Sequence, residues 1–315
     1  MKKLIVGCLF LLLLSLAACT SVPQEFEYSD DEPMVLAMKN ETVKILQITD
    51  LHLTYGIDAY DRKTFDMIEK LVQSDDFDLI VISGDMTMSI SAPSLFKRLV
   101  AHMESLETPW TFIFGNHETD YHDYADFINL LGDTEYLYFK VGPEMVDGGC
   151  GNFIIRFTKD GIPFYEVYLL DSHAEREEYT EEEGEYGYLS TAQVEWYESH
   201  VALATVDSVV FMHIPLRQFI DPVEYFGTFN EDKVYAQGVD TGFFDAMVLY
   251  GKSKGVFVGH DHLNNFYLNL DGIMLAYGQI SGYNAYGDLE RGGRVIVIGE
   301  DQTMSSYILL ESEAE

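Results

Sequence analysis

Histidine and carboxylate side chains recur in short motifs along this sequence of 315 residues. Asp50 and His52 are two positions apart, and so are His260 and His262. In extended backbone, side chains at positions i and i+2 project to the same side, so each pair can direct two metal ligands at one point. Each pair is therefore a candidate part of a metal site.

Further candidate ligands follow glycines, which let the backbone turn tightly and approach an ion closely. Asp85 follows Gly84, and Asn116 follows Gly115. The full candidate set is Asp50, His52, Asp85, Asn116, His213, His260 and His262. Carboxylate, amide and imidazole ligands suit manganese, iron and zinc alike, and the lack of cysteine ligands argues against a structural zinc site. One metal ion does not need so many ligands, whereas two ions about 3.5 to 4 Å apart do.

Short apolar runs, rich in β-branched residues, must position these ligands. Each run is predicted to be a buried strand, and each ends beside a polar residue. The runs cover residues 43–49, 79–83, 111–114, 164–170, 208–212 and 255–258. The sequence therefore places its chemistry where strands end.

Amphipathic segments of helical length separate these strands. They cover residues 60–73, 93–106, 121–131, 190–203 and 240–250. Ser190 and Gln193 are predicted to form a capping box at the start of the fourth segment. Alternating strands and helices predict an α/β domain, in which ligands collect beyond the carboxyl ends of the strands. Residues 266–310 are more purely β in pattern, which favours a sandwich of two sheets flanked by helices.

The polar motifs resemble the signature of the calcineurin-like metallophosphoesterases in order and spacing. The matching blocks are Asp50-x-His52, Gly84-Asp85, Gly115-Asn116-His117-Glu118, His213 and Gly259-His260-Asp261-His262. Residues 255–262 and 282–287 look closest to the branch beside the single-domain purple acid phosphatases. The resemblance spans nearly the whole folded chain and implies a four-layer α/β/β/α sandwich of two mixed sheets flanked by helices.

The resemblance also implies how the ligands divide between two metal ions. The ligands of the first ion would be Asp50, His52, Asp85 and His262. The ligands of the second would be Asp85, Asn116, His213 and His260, with Asp85 as the bridge. His117 would be the catalytic acid beside them. True purple acid phosphatases bind ferric iron through a tyrosine, but this chain has His52 in the first motif, so no tyrosinate colour is expected.

The implied function is hydrolysis of phosphate monoesters or diesters by a hydroxide that bridges the two metals. Its partner would be a small phosphorylated substrate. The alternative is a non-catalytic surface lipoprotein that binds metal or a phosphorylated ligand. His117 favours the enzyme, because a protein that only binds its ligand needs no acid at this position.

The N-terminus has the pattern of a bacterial lipoprotein signal peptide, at residues 1–18. An apolar run at residues 4–16 is too short to span a membrane, and Leu16-Ala17-Ala18-Cys19 resembles a lipobox. A lipid on Cys19 would hold the exported protein on the outer face of the cell membrane, with an ordinary signal peptide or signal anchor as the alternative. Residues 19–40 are predicted to be an acidic flexible tether, and residues 41–315 the metallophosphoesterase domain.

Charge and cysteine content exclude several classes of protein. The formal net charge is −34, and loss of Lys2 and Lys3 with the signal peptide leaves 17 basic and 53 acidic residues, or −36. A field of that sign repels polyanions, so nucleic acid is not an expected partner. Cys8 would be lost with the signal peptide and the Cys19 thiol would carry the lipid. Cys150 would then be the one free cysteine of the mature chain, which excludes an intrachain disulfide. We expect a monomer.

Several other residues allow two interpretations. Three tyrosines form either an aromatic wall near the site or ordinary packing: Tyr277, Tyr283 and Tyr286. His173 is a candidate pocket residue, and His200 is expected at the surface. Arg217 could reach a substrate phosphate, but an exposed loop arginine is the preferred interpretation. Residues 175–185 hold seven glutamates, for which a solvated loop is preferred over a calcium or partner site.

Overall fold

The computed structural model describes residues 26–56 and 58–314. The predicted signal peptide at residues 1–18 and the predicted lipidation site Cys19 lie outside these ranges. Within the described ranges, no helix combines the length and the apolar character needed to cross a membrane.

The described residues form twelve strands and five α-helices. The strands are β1 (Met34–Ala37), β2 (Val43–Ile48), β3 (Leu79–Ser83), β4 (Trp110–Ile113), β5 (Phe153–Lys159), β6 (Ile162–Leu169), β7 (Ser208–Phe211), β8 (Ser253–Val258), β9 (Tyr267–Leu270), β10 (Ile273–Tyr277), β11 (Gly292–Ile298) and β12 (Met304–Leu310). The helices are α1 (Ala59–Gln73), α2 (Ala92–Ser105), α3 (Tyr124–Ile128), α4 (Thr191–Val201) and α5 (Phe243–Tyr250).

The strands build two mixed sheets. One has seven strands in the order β1-β5-β6-β7-β8-β10-β9, and the other has five in the order β12-β11-β2-β3-β4. In the five-stranded sheet β2, β3 and β4 are parallel. In the seven-stranded sheet β6, β7 and β8 are parallel. Both sheets therefore gather the carboxyl ends of several strands at one edge.

Three apolar layers hold the sheets and helices together. Ile45 and Val81 of one sheet meet Val167 and Val209 of the other in the central layer. Helices α1 and α2 cover the outer face of the five-stranded sheet, and α4 and α5 cover that of the seven-stranded sheet. The layers run helix, sheet, sheet, helix, so the predicted four-layer α/β/β/α sandwich is confirmed.

The structure differs from the predicted elements mainly at the start of the domain and in α3. β1 falls inside the predicted tether at residues 19–40, yet it pairs in parallel with β5, so the predicted domain start at residue 41 is too late. The helix predicted at residues 121–131 shortens to Tyr124–Ile128, because Asp123 caps it with extended backbone (φ −94°, ψ 158°). The capping box of Ser190 and Gln193 is confirmed at α4.

Candidate metal centre

The candidate ligands lie on loops that follow five strands at the gathered carboxyl ends. β2, β3 and β4 lead into Asp50, Asp85 and Asn116. β7 and β8 lead into His213 and His260. The structure brings together all seven residues that the sequence singled out, and each is at most 9% exposed. Residues distant in the chain thus share one buried site because parallel strands end at one edge.

One cluster contains Asp50, His52, Asp85 and His262, whose potential ligand atoms all lie within 4.8 Å of one another. The Nε2 atoms of His52 and His262 are 3.0 Å apart. His52 Nε2 is 3.5 Å from Asp85 Oδ2, and His262 Nε2 is 3.4 Å from Asp50 Oδ1. Two imidazoles and two carboxylates therefore converge on the same space.

A second cluster contains Asp85, His213 and His260, within the same distance limit. His213 Nε2 is 3.2 Å from Asp85 Oδ2 and 3.1 Å from Asn116 Oδ1, which adds the amide of Asn116 to this cluster. Asp85 belongs to both clusters. That is the position of a carboxylate that bridges two metal ions.

The charge balance of the buried side chains fits bound cations. Burial tends to raise the pKa of Asp50, but His262 and His213 outweigh it and lower this pKa to about 2. Burial lowers the pKa of His52 to about 3, so its imidazole is neutral, as a metal ligand must be. Burial tends to lower the pKa of His213, but Asp85 and Asp50 raise it to about 10. The site thus needs positive charge beside its carboxylates, which metal ions supply in place of a proton.

Glycines leave the space that the ligands occupy. A Cβ added to Gly115 would lie 2.2 Å from Asp85 Oδ1, and one added to Gly84 would lie 2.5 Å from His213 Nδ1. Gly84 also has a φ of +94°, which other residues rarely adopt. Any side chain at either position would displace a candidate ligand.

Four candidate ligands have left-handed backbone. Their φ values are 55° for Asp50, 46° for His52, 50° for Asp85 and 76° for His260. Aspartate and histidine tolerate this region better than most residues, yet each such residue costs on the order of 1 to 3 kcal/mol. Such conformations cluster at functional sites, where the surrounding structure must hold them in place.

Glu118 joins the loops that carry Asp85 and Asn116. Its buried carboxylate accepts hydrogen bonds from the backbone N–H groups of Asp85 (3.1 Å), Thr87 (2.9 Å) and Gly115 (2.7 Å). Burial and the charge of Asp85 raise the pKa of Glu118 to about 7, against the opposing effect of these hydrogen bonds. Glu118 was not predicted to have a role, although its place in the third motif, Gly115-Asn116-His117-Glu118, was a signal for one.

His117 lies where the clusters open to solvent. Its backbone N–H donates to Asp85 Oδ1 at 3.0 Å, and its Nδ1 is 2.8 Å from Asp120 Oδ2. An ionised carboxylate can only accept, so Nδ1 donates to Asp120 and Nε2, 4.0 Å from Asp85 Oδ2, is free for the site. Burial alone would lower the pKa of His117, but the negative charges of Asp85 and Asp120 outweigh burial, so the net effect is a raised pKa. Asp120 was not identified from the sequence.

A cleft of about 540 Å³ opens over both clusters. Beyond the candidate ligands and His117, its walls include Met88, Tyr186, Glu231, Tyr235, Asn284 and Tyr286. The Tyr286 ring lies 4.1 Å from the His262 ring, so this tyrosine belongs to the wall. Tyr277 is fully buried and donates to Asp261 at 2.6 Å, and Tyr283 packs against the core under α1. Both therefore have the packing role that was the alternative.

His173 and His200, two of the four histidines outside the motifs, lie away from this cleft. His173 was a candidate pocket residue, but it lines a separate cavity of about 790 Å³, and its Nε2 is 3.1 Å from Gln193 Oε1. His200 was expected at the surface, but it is half-buried, with Nδ1 2.9 Å from the Trp196 carbonyl oxygen. Both predictions are corrected because these side chains have partners that the sequence did not show.

Arg217 is neither an exposed loop arginine nor a residue of the cleft. Its Nη1 donates to the carbonyl oxygens of Glu183 and Gly238, both at 3.0 Å. The acidic segment at residues 175–185 is mostly exposed, as a solvated loop would be, but its ends pair through a bridge between Glu175 and Tyr186. It is therefore a hairpin with fixed ends.

Comparison with protein families supports the resemblance seen in the sequence. The sequence model of the family described as calcineurin-like phosphoesterase matches residues 43–264. The chain is 27% identical over 319 residues to a probable inactive purple acid phosphatase 14 of Arabidopsis thaliana, covering 84% of this chain and 76% of that protein. It is 26% identical over 302 residues to a probable inactive purple acid phosphatase 29 of the same plant, covering 82% and 77%.

Solved structures share the fold at low sequence identity. A dimetal phosphatase from Danio rerio superposes with a TM-score of 0.60 at 13% identity, covering 85% of this chain and 96% of that one. The purple acid phosphatase PPD1 from yellow lupin seeds superposes with a TM-score of 0.53 at 13% identity, covering 87% of this chain and 52% of that one. These likenesses support the architecture, and the family match extends over all the candidate ligands.

Proposed function

This chain belongs to the calcineurin-like phosphoesterase family, and we propose that it is a dinuclear metal-dependent hydrolase of phosphate monoesters or diesters. The observation that carries the proposal is the shared carboxylate of Asp85, which lies beside His52 in one cluster and His213 in the other. Two adjoining sets of ligands that share a carboxylate suit two metal ions.

The donor atoms fit two cations. The first ion would be held by Asp50, His52, Asp85 and His262. The second would be held by Asp85, Asn116, His213 and His260. Oxygen and imidazole ligands accept manganese, iron or zinc, and the proposal covers all three. When bound, the cations supply the positive charge that attracts a phosphate to this acidic chain and that lowers the pKa of water. Neither described cluster contains a tyrosine, so we expect no tyrosinate colour.

His117 is placed to move a proton in the cleft. Asp120 fixes the ring by accepting from Nδ1, which leaves Nε2 directed to the space beside Asp85. The departing oxygen of a phosphate ester needs a proton, and an imidazolium at this position donates one and stabilises charge on the phosphoryl oxygens.

A non-catalytic role is the second candidate function. The names of the two Arabidopsis relatives describe them as probable inactive phosphatases, which favours the absence of turnover that the alternative, a lipoprotein that only binds metal or a phosphorylated ligand, requires. The His117 and Asp120 pair favours catalysis, because binding alone needs no oriented acid.

The first experiment measures hydrolysis of p-nitrophenyl phosphate and bis-p-nitrophenyl phosphate. The chain without residues 1–19, so that β1 is retained, is reconstituted separately with manganese, zinc or iron, beside an Asp85→Asn control. We expect metal-dependent turnover that the control loses, and the ratio of the two rates shows whether monoesters or diesters are preferred. Two bound metals without turnover of either ester would favour the binding protein.

We also propose that the chain is exported and anchored to the outer face of the cell membrane through Cys19. Support comes from the sequence alone, in the apolar run at residues 4–16 and the lipobox that follows. In a bacterial host, we expect the full chain to incorporate labelled palmitate and to sediment with membranes, and Cys19→Ala to lose the label. A label that persists in the variant would contradict the proposal.

A further inference from the structure

Residues 174–187 form a hairpin at the rim of the cleft, which we call the acidic hairpin. The Arg176 N–H donates to the Glu185 carbonyl, and the Gly187 N–H donates to the Ala174 carbonyl, both at 2.7 Å. Glutamates at positions 177, 178, 181 and 182 are exposed on it. Its charge therefore faces solvent, while a single antiparallel bridge between Glu175 and Tyr186 pairs its two ends.

Arg217 fixes the acidic hairpin to the body of the domain, and Arg176 pairs within the hairpin. Arg176 Nη2 lies 3.1 Å from the Glu183 carboxylate, and Arg217 Nη1 donates to the carbonyl oxygens of Glu183, in the hairpin, and of Gly238. The Gly238 N–H in turn donates to the Tyr186 carbonyl at 3.1 Å. A Cβ on Gly238 would lie 2.7 Å from that same carbonyl oxygen, so the two segments are in close contact. The position of Tyr186 is therefore set by several contacts.

The acidic hairpin carries Tyr186 to one half of the metal centre. The Tyr186 ring stands edge-on to the His260 ring, with centroids 4.3 Å apart at 85°. On the other half, the Tyr286 ring lies 4.1 Å from the His262 ring, and its hydroxyl donates to Glu231 at 2.6 Å. An aromatic ring thus stands beside each of the two clusters, and both rings line the cleft.

The described residues that line the cleft include no lysine or arginine. Lys233 lies nearby, with its Nζ 4.6 Å from the Tyr235 ring centroid, but it is exposed and does not line the cleft. Glu231 and Asp261 of the lining are acidic, and the acidic hairpin adds exposed glutamates. The walls of the cleft therefore present aromatic surface and negative charge to the leaving group of a substrate, and positive charge would come from the metal ions alone.

We propose that Tyr186 and Tyr286 form a leaving-group subsite that selects an uncharged aromatic group, and that the acidic hairpin disfavours substrates with a second anionic group. The inference rests on the phosphoesterase function proposed above. Aromatic rings gain stability by stacking or edge contact with other rings. A second anionic group would meet negative potential without a cation to bind it, because metal ions are occupied by the scissile phosphate.

The aromatic part of the proposal is tested with phenyl phosphate and β-glycerophosphate, whose leaving groups are both uncharged. We expect Tyr186→Leu and Tyr286→Leu each to lower kcat/KM for phenyl phosphate about three- to tenfold more than for β-glycerophosphate. Tyr186→Phe keeps the ring and should keep the wild-type ratio. Tyr307→Leu changes an exposed tyrosine on β12 and serves as the matched control. Metal content is measured for each variant.

The charge part is tested with phenyl phosphate and 3-carboxyphenyl phosphate at several salt concentrations. We expect wild type to disfavour the carboxylate at low salt, and this preference to shrink as salt screens the field. Glu181→Gln combined with Glu182→Gln should shrink it at low salt, whereas Glu69→Gln combined with Glu300→Gln, two exposed glutamates outside the cleft lining, should not.

Each outcome separates the subsite from the function on which it rests. Equal losses for phenyl phosphate and β-glycerophosphate in the leucine variants would show that the rings only pack on metal ligands, and would overturn the aromatic subsite. A carboxylate preference independent of salt and of the hairpin glutamates would overturn the role of the acidic hairpin. Metal-loaded wild type that hydrolyses none of these three esters, and neither p-nitrophenyl phosphate nor bis-p-nitrophenyl phosphate, would overturn the proposed function, and the subsite with it.

Discussion

The floor of the cleft and its rim are built in different ways. The floor consists of seven buried residues at strand ends, four of them with left-handed backbone. The rim consists of residues on loops, among them Tyr186 and Tyr286, and the latter is 53% exposed. Strand ends hold groups rigidly because two packed sheets determine their positions, whereas loops change without disturbing the core. On the proposed function, we therefore expect the floor to determine the chemistry and the rim to determine which ester is accepted.

Variants of the floor and of the rim should differ in kind. Changes in the floor should reduce turnover of every ester by a similar factor, whereas changes in the rim should alter the ratio between esters. A floor variant that changed only this ratio would contradict this division of roles.

Asp85→Asn should have the largest effect. The amide keeps the shape of the carboxylate but removes the charge that both clusters share. We expect kcat to fall by about 10³-fold or more for every ester. Steady-state kinetics on phenyl phosphate and β-glycerophosphate measure the loss, and circular dichroism checks the fold. A folded variant that retained a tenth of wild-type kcat would contradict the bridging role.

His117→Ala should lower kcat by about 10²-fold or more while both metals stay bound. In the proposed mechanism His117 donates a proton at Nε2, whereas its hydrogen bond to Asp85 is made by the backbone N–H, which alanine retains. Metal analysis beside kinetics measures both quantities. Unchanged turnover would remove His117 from the mechanism, and loss of a metal would make it a ligand.

Glu118→Gln should reduce both the stability of the fold and the affinity of the floor for metal. The variant places an amide group against three backbone N–H donors, so we expect the free energy of unfolding to fall by about 1 to 3 kcal/mol. Metal affinity should fall by about tenfold, since residues that orient ligands contribute this much. Urea denaturation and metal titration measure these losses. Glu182→Gln, the same change on the exposed rim, is the control and should alter neither quantity.

Asp120→Asn should have the smallest effect on kcat, and the effect should appear as a shift in the pH dependence of kcat. Asp120 helps to raise the pKa of His117, so the imidazolium persists to higher pH than it otherwise would. Activity that needs this proton is present below the His117 pKa and falls as pH rises through it. Without the Asp120 charge the falling limb of kcat should therefore move to lower pH. An unmoved limb would assign that limb to another group.

The floor was predictable from the sequence, whereas Tyr286 was a candidate for the rim and Tyr186 was not. Ligand pairs such as Asp50 and His52 combine a strand-end position with a spacing of two, and both features are local. Tyr186 reaches His260 only because Arg217 and Gly238 fix the acidic hairpin, and no local pattern encodes those contacts. The seven glutamates of residues 175–185 correctly suggested an exposed loop, but this interpretation gave no role to Tyr186, which follows them.

The predictions at β1 and α3 were wrong for similar physical reasons. The four residues Met34–Ala37 are too few to give a strand signal, and they become a strand because the edge of β5 is available for pairing. The helical pattern at residues 121–131 is overridden at its start, where His122 Nε2 lies 2.9 Å from the Ile90 carbonyl oxygen. Both outcomes depend on tertiary contacts.

If two metal ions share Asp85, as we propose, electron paramagnetic resonance of the manganese-loaded protein should detect the magnetic coupling between them. We predict two manganese ions per chain with the spectrum of an exchange-coupled pair, and loss of that coupling in Asp85→Asn. One ion per chain, or two ions with uncoupled spectra in the wild type, would contradict the claim.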